Sequence, residues 1–190
     1  SERTMCTFLG TSGKIDEIDI NINSLKDSEI TFLEGYLWDD GAPKSAFDKA
    51  IQNSNKIAMS LSDLFCVERH KRHFLDLVKN KLDITFANEQ EILSLINSKN
   101  FDDVVKFGQQ VGKMVIITRG EKGSIAINKD EVIECESKKG LNIVDLTGAG
   151  DLFAAGFLHG YINKLTIKES LQKGTEMASK IIQKIGARLG

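Results

Sequence analysis

The run Asp145-Leu146-Thr147-Gly148-Ala149-Gly150-Asp151-Leu152-Phe153-Ala154-Ala155-Gly156 constrains this chain more than any other stretch. Three small residues, Gly148, Ala149 and Gly150, precede a dense apolar pattern of helical period. A helix that starts from such a turn leaves its first backbone N–H groups without acceptors and with no side chain in front of them. That makes a ready anion site. Asp151 then sets a carboxylate into the same site. A carboxylate repels a bound anion, so static anion binding gives no reason for its presence.

The rest of the chain alternates between two periods. Apolar, β-rich runs at 5–10, 15–22, 30–37, 56–61, 84–87 and 114–118 predict strands. Asp39, Asp40 and Pro43 predict the capped start of a helix reaching about residue 51. Further helices are predicted at 66–79, 89–97 and 102–111, the last capped by Asp102. Residues 124–128 and 131–135 read as a hairpin around Asn128-Lys129-Asp130. Helices at 149–163 and 167–185 close the chain, the second ended by Gly186. Strands alternating with helices predict an α/β domain, a mostly parallel sheet covered on both faces. Ligands of such sheets bind beyond the carboxyl ends of the strands. Asn88, residues 118–120 and residues 147–151 each follow a predicted strand, so all three are expected at one edge.

Composition excludes several classes. Net charge is -2 over 190 residues, so no broad basic surface for nucleic acid is expected. No apolar run is long enough to span a bilayer, so no membrane partner is expected. Cys6, Cys66 and Cys135 are odd in number and far apart, which fits a reducing, cytoplasmic setting better than a disulfide framework. The run 68–73 reads as a solvated basic helix face. Cys66, His70 and His73 could share that face but lack a fourth metal ligand. His159 reads as a core or edge histidine, Asp16, Glu17 and Asp19 as edge-strand charges, and Tyr36 and Trp38 as packing residues.

Three other readings compete for the glycine turn. It could be a tight strand-to-helix connection, with Asp151 placed for the helix dipole. A dinucleotide fingerprint fails because Phe153 stands at the third glycine, and a Walker-type loop fails because no Gly-Lys-Ser/Thr follows. Asp151 is accounted for if the anion is a phosphoryl group in transfer and the carboxylate orients or deprotonates the attacking hydroxyl.

The wider pattern resembles the PfkB (ribokinase-like) carbohydrate kinases. Residues 145–156 are similar to the C-terminal signature of that family. Phe86-Ala87-Asn88-Glu89-Gln90-Glu91 is similar to its Asn-x-x-Glu motif, and Thr118-Arg119-Gly120-Glu121-Lys122-Gly123 to its nucleotide loop. Ala178-Ser179 and Gly186-Ala187-Arg188 resemble its nucleotide-base region, and Glu34-Gly35-Tyr36-Leu37-Trp38-Asp39 resembles a strand of its adenosine-kinase-like branch.

The resemblance implies an ATP-dependent phosphotransferase acting on a hydroxyl of a small sugar or nucleoside. Asp151 would be the catalytic base, and Gly148, Ala149 and Gly150 the anion hole. Asn88, Thr118, Gly120, Gly123, Ala178 and Gly186 would bind ATP. Glu91 would order magnesium through water, and Asp145 would belong to a monovalent-cation site or simply anchor its turn. Leu146 stands where the signature usually has Thr or another small residue. The resemblance also implies that residues 1–25 are strands of a small lid through which a homodimer could form, and that an acceptor-gripping part precedes this chain. A non-catalytic nucleotide sensor and an inactive fragment are the alternative readings.

Overall fold

The computed structural model describes residues 6, 8–38 and 41–189. Its centre is a six-stranded sheet in sequential order: β1 (Thr31–Glu34), β2 (Ile57–Ser60), β3 (Ile84–Asn88), β4 (Met114–Thr118), β5 (Ser124–Ile127) and β6 (Val132–Cys135). The first four are parallel, while β5 and β6 run antiparallel as a hairpin. Asn128 shapes that hairpin, its side chain accepting from the N–H groups of Asp130 (2.9 Å) and Glu131 (2.8 Å).

Among the described residues, seven α-helices accompany the sheet: α1 (Ile22–Asp27), α2 (Ala42–Asn53), α3 (Leu64–Asn80), α4 (Glu89–Ile96), α5 (Phe101–Val111), α6 (Ala149–Ile162) and α7 (Ile167–Ile181). Parallel neighbours in sequential order need crossovers of one hand, which brings α2 to α5 to one face. Strand side chains alternate between two layers accordingly. Met59, Val115, Ile117 and Ile125 share a core with Phe47 of α2, Phe74 of α3 and Ile92 of α4. Ala58, Ile84, Phe86, Ile116 and Ala126 share the other with Phe153, Phe157 and Leu171 of α6 and α7. Burial on both sides is why these strands read as unbroken apolar runs.

The structure departs from the expected elements in several places. No strand forms in the described part of residues 8–29. Residues 10–14 and 17–19 make 3₁₀ turns, followed by α1. Local hydrogen bonding accounts for this. Asp16 makes a capping box with Asp19, and the Asn21 side chain accepts from the N–H groups of Asn23 (3.0 Å) and Ser24 (3.2 Å). The lid expectation for residues 1–5 and 7 lies outside the described residues.

Helix starts differ as well. α2 begins from Gly41, which makes no side-chain cap, and the expected caps Asp39 and Asp40 lie outside the described residues. Asn100 rather than Asp102 caps α5, accepting from Asp102 N–H at 3.1 Å. The basic face of α3 is only partly solvated. His70 is buried at a non-helical kink, its ring 4.8 Å from that of Trp38, and His73 lies 4.7 Å from the same ring. Trp38 is a packing residue, as expected, and no metal-ligating cluster exists among the described residues.

Candidate functional site

The four parallel strands end at one edge, and the loops that leave them carry the polar chemistry. β3 ends at Asn88, which caps α4 in a reciprocal box. The Asn88 side chain accepts from Glu91 N–H at 2.8 Å, and the Glu91 carboxylate accepts from Asn88 N–H at 2.9 Å and from its side-chain amide. Glu91 is nonetheless buried. Burial pushes its carboxyl up to about 7, with the Asp63 charge adding and the Asn88 hydrogen bonds opposing.

Glu34, at the end of β1, shares this environment. Burial pushes it also to about 7, opposed by the Ser62 hydroxyl and reinforced by the charges of Asp151 and Glu91. The Ser62 hydroxyl donates to Glu34 at 3.0 Å and accepts from Tyr36 N–H at 3.1 Å. Ser62 holds a left-handed backbone, φ 71°, which costs energy for a residue with a Cβ. Sequence reasoning noticed Glu34 only inside a resembling strand and passed over Ser62. A signal was present: Glu34 is a carboxylate ending an apolar strand, where a parallel sheet collects its ligand-facing groups.

The two raised carboxyls give a stability prediction. Each folded-state value, about 7, lies above the ordinary glutamate value of 4.5. The folded protein therefore keeps protons that the unfolded chain has released, and stability falls as pH rises from about 4.5 through about 7. Glu91→Gln should remove its share of that slope, making the variant more stable than wild type at pH 8 by on the order of 1–3 kcal/mol but not at pH 4. Thermal unfolding across this range, without divalent metal, measures it. An unchanged slope in the variant would show that Glu91 is ionised as in water.

α6 supplies the opposite wall. Gly148 is its N-cap, with φ 79° and no side-chain cap. Intrahelical bonding begins with Leu152 N–H to Gly148 at 2.9 Å. Gly150 and Asp151 therefore lie in the first turn, where the helix offers their amides no acceptor. Ala149 N–H turns back to Leu146 at 3.2 Å. Gly150 and Asp151 are exposed.

Asp145 holds this turn. Its carboxylate accepts from Thr147 N–H (2.9 Å), the Thr147 hydroxyl (2.7 Å) and Gly186 N–H (2.9 Å). These bonds describe the turn-anchoring role that stands in the sequence beside a monovalent-cation ligand. They also bring Gly186 to the glycine turn, reinforced by Val144 N–H to Ile182 at 2.8 Å.

The loop between β4 and β5 contains Thr118, Gly120 and Gly123. Arg119 N–H closes it onto Gly123 at 2.8 Å. Gly123 has φ 88°, and a Cβ there would lie 2.0 Å from the Cys135 carbonyl. The Cys135 thiol in turn lies 3.7 Å from the Thr175 hydroxyl, one turn before Ala178 on α7. The β4–β5 loop and α7 are thus joined through Cys135. A cleft lined by Lys56, Asp83, Lys113 and Tyr161 lies away from all these residues, at the amino edge of the sheet.

A helix start without a side-chain cap, a carboxylate in its first turn and a glycine loop thus accompany a mostly parallel α/β sheet. The chain belongs to the pfkB family of carbohydrate kinases, whose profile it matches over residues 1–190. It is 34% identical over 118 residues to a cytidine kinase of Thermococcus kodakarensis, a match covering 61% of this chain and 42% of that protein. The crystal structure of adenosine kinase from Sinorhizobium meliloti superposes with TM-score 0.89 at 35% identity, over 93% of this chain and 55% of that one. A probable sugar kinase from Rhizobium etli gives TM-score 0.87 at 35% identity, again over 93% and 55%. The chain therefore spans roughly half or less of the length of these relatives.

Proposed function

We propose that this protein transfers the γ-phosphoryl group of ATP to a hydroxyl of a sugar or nucleoside. The observation that carries the reading is Asp151, an exposed carboxylate in the first turn of a helix that begins at Gly148 without a side-chain cap. A sensor of nucleotide would gain nothing from a negative charge there. A transferase gains a base. Asp151 would take the proton of the acceptor hydroxyl as its oxygen bonds to the γ-phosphorus and the bond to the bridging oxygen breaks. Of the expected anion hole, the amide of Gly150 would face the charge that develops on the phosphoryl oxygens, while Gly148 and Ala149, whose N–H turns back onto Leu146, would shape the turn that presents it. Thr118, Gly120, Gly123, Ala178 and Gly186 would line the ATP site, where Gly120 and Gly186, with open space at the Cβ position, admit close backbone approach.

The donor set fits magnesium held through its waters. No group of three acidic or imidazole side chains converges among the described residues, but Asn88 and the buried Glu91 lie at the strand end that would face the phosphates, and magnesium needs few direct protein ligands. When bound, magnesium neutralises charge on the phosphate oxygens. The names of the relatives, cytidine, adenosine and sugar kinases, support both acceptor classes.

The test is ADP formation from ATP by the purified full-length protein with a panel of nucleosides and sugars. One acceptor raising the rate far above ATP hydrolysis sustains the proposal, and no acceptor-dependent ADP with any of them sinks it. With an active acceptor, Glu91→Gln should raise the half-saturating magnesium concentration by about 10- to 100-fold, and excess metal should recover part of the rate. An unchanged metal titration would leave Glu91 as a cap only.

A further inference from the structure

Arg119 sits in a surface loop between two residues assigned to the nucleotide, yet its side chain is only 17% exposed. Its Nε donates to Glu89 at 2.8 Å, and its guanidinium carbon lies 3.6 Å from the centre of the Phe101 ring. Glu89 opens α4 and Phe101 opens α5. One side chain therefore joins three elements just past the strand ends. Lys122, in the same loop, adds a bond to the other Glu89 oxygen at 3.2 Å but is 64% exposed, so its contribution is screened. Burial works to raise the Glu89 carboxyl, and the bonds from Arg119 and Lys122 overcome it and hold the group below its ordinary range.

The position of Glu89 gives this contact its meaning. It lies between Asn88 and Glu91, the residues of the magnesium corner. β3 and β4 are in register up to the pair Asn88 and Thr118, after which main-chain pairing stops. Beyond that point, the Arg119–Glu89 pair, with Lys122 beside it, joins the glycine loop to the first turn of α4. The planar guanidinium is occupied on its edge by a carboxylate and on its face by an aromatic ring, an arrangement lysine cannot copy.

We infer that Arg119 is a positioning residue: through Glu89 it fixes the nucleotide loop against the first turn of α4, so that the nucleotide and magnesium sites are set by one strut. This rests on the proposed kinase reading for its consequence, although the strut itself belongs to the fold. Arg119→Ala should raise the KM for ATP and the half-saturating magnesium concentration together, each by about 2- to 30-fold, with kcat at saturation of both within about twofold. Glu89→Gln should reproduce both shifts, and the double variant should be no worse than the more affected single one.

The experiment is that mutant cycle, with amide hydrogen exchange measured on the ligand-free proteins. The expected exchange result is joint loss of protection at residues 119–123 and 88–91 in both single variants. A direct contact of Arg119 with ATP predicts instead that Glu89→Gln leaves KM alone and that the two effects add, which overturns the inference. Joint loss of protection without any shift in KM or metal dependence overturns it too, because the contact would then only stabilise the fold. If wild type phosphorylates no acceptor, the kinase reading fails separately, and exchange decides the strut: loss confined to 119–123 overturns it, joint loss sustains it.

Discussion

Replacing Asp151 by Asn should lower kcat by on the order of 10²- to 10⁴-fold, the range for loss of a general base. The substitution keeps the size of the side chain and its place in the first turn of α6. What it removes is basicity and negative charge. The exposed site leaves room for the amide, so folding should be unaffected. ATP affinity should hold or tighten, because a carboxylate no longer faces the phosphates. Glu34, which feels the Asp151 charge, should titrate lower in the variant. Steady-state kinetics with ATP varied at a saturating acceptor would separate the two effects. Turnover near wild type would remove Asp151 from the chemistry and leave it a helix-dipole residue.

The sheet and its covering helices were legible because both faces of the central strands are buried. Runs such as 114–118 and 84–87 are then largely apolar, and that pattern survives in a single sequence. The glycine turn was legible for a related reason, since an uncapped helix start after small residues has few other uses. Caps were less legible. Asn100 and Asp102 are both good caps, and only the backbone of Asn100, extended at φ -109°, decides between them. Residues 15–22 alternate like a strand, but Asp16 and Asn21 bend the chain locally. His70 looked solvated in a basic run, yet Trp38, distant in sequence, draws its ring into the core. Glu34 became a site residue only through its neighbours: neither its burial nor its nearness to Asp151 and Glu91 is written in residues 30–37. The bonds of Arg119 to Glu89 and its stacking on Phe101 likewise span separations that no local pattern reports.

Gly148→Ala should be nearly as damaging as loss of the base, by a different route. Gly148 has φ 79°, which an L side chain adopts only under strain of about 1–2 kcal/mol. An added Cβ would also lie 2.9 Å from the Ala187 Cβ and 3.0 Å from the Ala187 Cα. One of the two segments must therefore move. Neither moves alone, because Asp145 holds Thr147 on one side and Gly186 on the other through the same carboxylate. The displacement passes into the amides of Gly148, Ala149 and Gly150 and into the segment proposed to border the nucleotide. Misplacement of an anion hole by about 1 Å costs on the order of 10²-fold in rate, and loss of one of its donors 10²- to 10³-fold. Gly148→Ala should thus lower kcat by on the order of 10²- to 10³-fold, with a loss of thermal stability of about 2–8 °C from the φ strain, to which the contact with Ala187 adds. Adding Ala187→Gly removes the nearer of the two clashing atoms but leaves the backbone of residue 187 close to the new methyl group, and leaves the φ strain. The double variant should recover part of the rate, not all of it. Kinetics of the single and double variants would decide the matter. A single variant within threefold of wild type, or a double variant no better than the single, would show that close packing against Ala187 does not set the geometry of the anion site.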